Sequence, residues 1–165
     1  MGKGSLTIFT GEGRGKTSAA IGRAIQAADE GKRVFIIQFL KGRGLRESSF
    51  VSRLEPEIKL FCFEKSGESF EKLTPEQKKD ECRNIKNGLN FARKVLSTGE
   101  CDLLILDEVL GLVENQIITA QELLEMLDGR EETCVILTGI VLSDEICFQA
   151  DEVSRIETIK FKVWE

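Results

Sequence analysis

The chain has 165 residues, 41% of them hydrophobic and 31% charged, and a formal net charge of −5. That length fits one globular domain, residues 1–165, with a core large enough to fold without disulfide or metal staples. The acidic balance argues against nucleic-acid binding, no apolar run reaches the length of a membrane span, and the lack of histidine and tyrosine excludes Ser-His-Asp triads, Cys-His pairs and His-ligated metals.

Met1-Gly2-Lys3-Gly4-Ser5 leads straight into an apolar segment without a signal-peptide pattern, which reads as a cytoplasmic protein. Leu6 to Thr10 is a short buried strand, followed by a helix from near Lys16 to near Gly31. Val34 to Phe39 is a second continuous apolar run, of the kind that suits a strand covered on both faces of a parallel sheet. Gly42 to Gly44 breaks the chain, and a short helix is expected around Leu45 to Leu54, punctuated by Pro56. Ile58 to Phe63 is a third strand, and Glu64 to Leu73 is polar and loop-like.

Thr74-Pro75-Glu76-Gln77 is a strong helix start: a capping threonine, a proline at the first helical position and a glutamine that completes a capping box. Cys82, Ile85, Leu89, Ala92 and Leu96 then recur at helical spacing until Thr98-Gly99. Leu103 to Leu106 is a fourth strand that ends on Asp107-Glu108. A second capping box, Thr119 to Glu122, opens a helix carrying Leu123, Leu124 and Leu127. Cys134 to Thr138 is a fifth strand, Ser143 caps a short helix, and Ile159 to Val163 alternates apolar and basic residues as an edge strand would. The alternation of strands and helices predicts an α/β fold: a single phosphate-loop (RecA-like) domain with a mainly parallel sheet of about six strands flanked by helices. The cysteines, Cys62, Cys82, Cys101, Cys134 and Cys147, form no CxxC pair and read as reduced thiols.

In such sheets ligands bind beyond the carboxyl ends of the strands, where the sharpest motifs fall. Thr10-Gly11-Glu12-Gly13-Arg14-Gly15-Lys16-Thr17-Ser18 follows a strand and opens a helix. Its glycines let successive N–H groups face one anion, and the helix N-terminus adds unsatisfied donors. Lys16 supplies a point charge, and the Thr17 hydroxyl suits Mg²⁺. Thr10 stands where the usual loop begins with glycine, so the glycine run is a compressed variant. Asp107 and Glu108 supply oxygen ligands for the metal across from Thr17. Thr138-Gly139 either reaches the phosphates or forms a plain turn into the next helix. Gln38 interrupts an apolar run, so it either hydrogen-bonds in the core or faces the ligand. Lys41 and Arg43 lie in a turn where a triphosphate would welcome them. From these residues alone the chain binds a nucleoside triphosphate with Mg²⁺, and its hydrolysis or non-catalytic nucleotide binding stand as alternative outcomes.

Thr10-Gly11-x-Gly13-Arg14-Gly15-Lys16-Thr17, then Gln38-Phe39-Leu40-Lys41-Gly42, Leu106-Asp107-Glu108, Leu137-Thr138-Gly139 and Ala150-Asp151-x-Val153-Ser154 occur in that order. This set, from Leu6 to about Ile159, resembles the ATP:corrinoid adenosyltransferase family of the CobA/BtuR type. The resemblance implies that a reduced corrinoid, cob(I)alamin, attacks the ribose C5′ of ATP and inorganic triphosphate leaves. It implies Mg²⁺, a homodimer, a reducing flavoprotein partner, and ATP held with its phosphate order reversed in the loop. By the same resemblance Gly11, Gly13, Arg14, Gly15, Lys16, Thr17 and Ser18 would cradle phosphate, and Thr10, Glu12, Gln38, Lys41 and Thr138 complete the candidate nucleotide-binding set. Thr17, Asp107 and Glu108 would serve the metal, with Lys16 and Glu108 as the catalytic groups. The chain departs from the family at Ile140, where members have arginine. It also resembles a shortened or diverged member, because it carries neither the His-x-Phe-Asp-Ala-Gly stretch nor the N-terminal segment ahead of the loop strand.

Overall fold

The computed structural model describes residues 2–41 and 49–164. The strands are β1 (Leu6–Thr10), β2 (Val34–Gln38), β3 (Ile58–Phe61), β4 (Leu103–Asp107), β5 (Cys134–Gly139) and β6 (Glu152–Arg155), and the helices are α1 (Lys16–Asp29), α2 (Pro75–Thr98), α3 (Val109–Glu114), α4 (Ala120–Asp128) and α5 (Asp144–Gln149). Short 3-10 turns occupy Val51–Leu54 and Phe70–Lys72. The start of the helix expected from Leu45, the glycine break at Gly42 to Gly44, and Arg43 lie outside the described residues.

The strands form one six-stranded sheet in the order β3-β2-β4-β5-β1-β6, and every pairing is parallel. Alternate residues of the central strands feed opposite faces, as the two-residue repeat of a strand requires. Ile8, Ile37, Leu104, Leu106, Val135 and Leu137 pack with α2, α3, α4 and α5 in one core. Phe9, Val34, Ile36, Leu103, Ile105 and Ile136 pack under α1 in the other. The buried positions of α1 that face this second core are alanines, Ala20, Ala24 and Ala27, at helical spacing, which lets the helix lie close to the sheet. The expected capping boxes form at both helices: the Thr74 and Thr119 hydroxyls accept from the Gln77 and Glu122 amides, and those side chains return the bond.

Several expectations are corrected. The last strand is Glu152–Arg155, and residues 159–163 are not in a strand. Strand formation at the sheet edge is decided by main-chain partners, and β1 offers them only from Thr7 to Thr10, opposite Glu152 to Arg155. Asp151 pins the entry to this ladder, because its carboxylate accepts from the Leu6 amide at 2.8 Å. Beyond it the apolar and basic alternation carries no ladder, and Ile159 is 96% exposed. Strand β3 stops at Phe61 instead of Phe63, since β2, its neighbour among the described residues, pairs with it no further than Ile37. Helix α3, which the pattern of alternation did not announce, follows Asp107-Glu108 directly.

Candidate functional site

The carboxyl ends of β1, β2, β4 and β5 lie side by side, because the strands are parallel and adjacent. Register sets Gln38 beside Asp107 and Thr10 beside Gly139. The turn after β1 forms the phosphate loop. Gly11 (φ 107°) and Gly15 (φ 108°) adopt left-handed backbone that a side chain resists. Gly15 is the N-cap of α1, and no acidic residue occupies the first turn, so the positive end of that helix is left for an anion. The Thr10 hydroxyl donates to the Ile140 carbonyl at 3.1 Å, tying β1 to the end of β5 at the place where glycine is usual.

Lys16 is only 9% exposed. Its ammonium folds back over the loop and donates to the Gly13 carbonyl at 2.7 Å. The other wall of the loop is covered by the chain that follows β6. The Ile156 amide donates to the Thr10 carbonyl, and the Gly13 amide to the Ile156 carbonyl. The Arg14 amide donates to the Thr158 hydroxyl at 2.8 Å. The Arg14 guanidinium stacks 4.1 Å from the Phe161 ring centroid. Arg14 therefore turns toward the carboxyl-terminal stretch, while Glu12, Gly15 and Ser18 are exposed along the loop and helix start.

Asp107 is the hub of the site. It is 1% exposed, and a carboxylate so buried is costly unless its lone pairs are satisfied. The Thr17 hydroxyl lies 3.0 and 3.2 Å from its two oxygens. The Gln38 amide group donates at 3.0 Å, and the Thr138 hydroxyl at 2.7 Å. Lys41 adds its ammonium at 3.8 Å from Asp107 and 3.5 Å from Glu108. Gln38 thus hydrogen-bonds within the core. Thr138 stands behind Asp107, fully buried, and its hydroxyl also accepts from the Glu108 amide at 2.8 Å. Glu108 holds left-handed backbone (φ 62°) as the N-cap of α3, a conformation that costs a residue with a side chain about 1–3 kcal/mol and clusters at functional sites. Gly139 is required there, because a Cβ would lie 2.3 Å from that of Leu110.

This donor set fits Mg²⁺. A hydroxyl and two carboxylates offer hard oxygens, and Mg²⁺ takes few protein ligands, completing its shell with phosphate and water. Among the described residues no group of three or more acidic, cysteine or histidine side chains is placed to hold a metal ion. Ile140 is 45% exposed and lines, with Gly11, Arg155 and Thr158, an open cleft of about 660 Å³ beside the loop.

The model of the ATP:corrinoid adenosyltransferase BtuR/CobO/CobP family matches residues 2–165. The chain belongs to that family. It is similar to the corrinoid adenosyltransferase of Escherichia coli strain K12, with 30% identity over 159 residues, covering 96% of this chain and 79% of that protein. Its similarity to the corrinoid adenosyltransferase CobA of Salmonella typhimurium strain LT2 is the same, 30% over 159 residues with 96% and 79% coverage. The corrinoid adenosyltransferase of Pseudomonas aeruginosa strain PAO1 is 25% identical over 160 residues, with 96% and 77% coverage.

The network around Asp107 contains groups that sequence reasoning did not single out. Leu40, in left-handed backbone (φ 56°), donates its amide to the Glu64 carboxylate at 2.7 Å. Glu64 was expected in a polar loop, yet it is only 6% exposed. No local signal marks it, since its partner is 24 residues away. Thr158 and Phe161 were hidden for the same reason.

Proposed function

We propose that this single phosphate-loop domain transfers the 5′-deoxyadenosyl group of ATP to a reduced corrinoid. Co(I) of the corrinoid donates its electron pair to C5′, the C5′–O bond breaks, and triphosphate leaves with that bond's electrons. The corrinoid brings its own nucleophile, which agrees with a chain that has no histidine to serve as base. The protein positions the carbon and stabilises charge on the leaving group. The observation that carries the reading is Asp107, buried at the end of β4 and bonded to Thr17 of the phosphate loop.

The residues divide the work as follows. The amides at the start of α1 and the Lys16 ammonium hold the polyphosphate, with Gly11, Gly13 and Gly15 shaping the loop. Thr17, Asp107 and Glu108 hold Mg²⁺, which when bound neutralises charge on the phosphates. Gln38 and Thr138 fix the Asp107 carboxylate, and Lys41 supplies a second cation beside it. Glu12, Arg14 and Ser18 complete the loop. Free cysteines throughout the described residues fit a reducing, cytoplasmic setting, and among those residues no helix is long and apolar enough to cross a membrane. A homodimer and a reducing flavoprotein partner belong to the same reading and rest on the family resemblance alone.

The test is incubation with ATP, Mg²⁺ and chemically reduced cobalamin. Adenosylcobalamin and inorganic triphosphate are expected in equal amounts, and Lys16→Ala is expected to lose both. Orthophosphate released without corrinoid, and no adenosylated product, would overturn the reading.

A further inference from the structure

We propose that Glu64 is a positioning residue for the transfer: through the Leu40 amide it fixes the Lys41 ammonium over the Asp107–Glu108 pair. This rests on the function proposed above and assigns a group outside the phosphate loop and the metal ligands.

The chain leaves β2 at Gln38 and is at once held to β4, with the Phe39 amide donating to the Asp107 carbonyl at 2.9 Å. The next residue, Leu40, takes left-handed backbone at φ 56°. Leucine resists that conformation, because its Cβ crowds the following carbonyl. It persists only where surrounding contacts determine it. Here they do so from two sides. Glu64, 6% exposed, receives the Leu40 amide at 2.7 Å. On the other side the Leu40 side chain lies against Gly111, where a Cβ would come within 2.8 Å of Leu40 Cδ1. Gly111 sits in α3 and donates its amide to the Glu108 carbonyl at 3.0 Å.

The turn is therefore locked between Glu64 and the helix whose N-cap is Glu108. Lys41 comes immediately after it. Its ammonium lies 3.5 Å from Glu108 and 3.8 Å from Asp107. A return of Leu40 to ordinary right-handed or extended backbone would redirect the chain at Lys41 and carry the ammonium away. Glu64 touches no substrate in this account. It acts by choosing the direction in which Lys41 points.

The experiment is a double-mutant cycle read by calorimetric titration of inorganic triphosphate with Mg²⁺, alongside the turnover assay. Glu64→Ala is expected to weaken triphosphate binding about tenfold. Glu64→Gln keeps an acceptor oxygen and is expected to stay within about threefold of the unsubstituted protein. In a Lys41→Ala background, Glu64→Ala is expected to add less than about twofold, because the two act as one unit. An undiminished effect in that background, or no effect at all, would overturn the assignment and leave Glu64 a plain loop anchor. If Glu64→Ala does not fold, Glu64→Asp, whose shorter side chain draws the carboxylate away from the Leu40 amide, runs the same cycle, with the same outcomes. Failure of the function reading is distinguishable: it shows as intact triphosphate binding by the unsubstituted protein with no adenosyl transfer.

Discussion

At the scale of single residues, the site is organised around one buried charge. Asp107 accepts from Thr17, Gln38 and Thr138, and each donor comes from a different strand end or helix start. Asp107→Asn preserves shape and removes the charge. We expect magnesium-dependent nucleotide affinity to fall about tenfold to hundredfold, as losses around a metal site do, while metal-free binding changes little. Titration of ATP with and without Mg²⁺ checks this, and equal losses in both would place Asp107 outside the metal's reach. The loop and the Asp107-Glu108 pair were legible in the sequence because each is a contiguous run in a context that alternation reveals. Gln38 was half legible: a polar residue in an apolar run demands a partner, but the partner is Asp107, 69 positions away. Glu64 was not legible at all. A glutamate in a polar stretch looks like every other solvated glutamate until the fold buries it.

At the scale of elements, the site depends on how α3 is seated. Gly139 closes β5 against Leu110 with no space for a Cβ. Gly139→Ala must move the helix or the strand end, and overpacking of this kind costs about 1–3 kcal/mol. For a chain of this size the melting temperature is expected to drop by roughly 3–10 °C. Transfer activity is expected to fall further than stability, because Glu108 is the N-cap of α3. A variant that melts lower yet transfers at the original rate would separate the helix from the site. Helix α3 escaped the sequence reading for a physical reason: Val109, Leu110, Gly111 and Leu112 are all buried, so no polar face exists to give a helical period. The misassigned strand at residues 159–163 fails in the opposite way. Its alternation is real, but the β1 edge is already occupied by Glu152 to Arg155, and alternation without a hydrogen-bonding partner does not make a strand. Strands β1, β2, β4 and β5 were readable because continuous apolar runs have few other places to go.

At the scale of the whole molecule, the two ends of the sheet differ in chemistry. The amino ends of the strands carry Cys101, 2% exposed, where burial pushes the thiol up to about 12. A raised value means that the folded state holds the proton more firmly than the unfolded chain. The associated stability is complete below the ordinary thiol value of 9.0 and is lost as the pH climbs toward about 12. We expect the melting temperature to decline across that window, and Cys101→Ala to flatten the decline. A thermal scan from about pH 8 to about pH 11 measures it, and an unchanged slope in the variant would assign the effect elsewhere. Thiol reagents at neutral pH are expected to reach the exposed Cys147 first.

The stretch after β6 is laced to the phosphate loop through Thr10, Gly13 and Arg14. Mechanically, the loop and this stretch are in series. Tension applied beyond Thr158 meets the Arg14–Thr158 bond first, and so is transmitted to the loop before it reaches Ile156, which packs against the second core. Under load, the machinery would fail ahead of the scaffold.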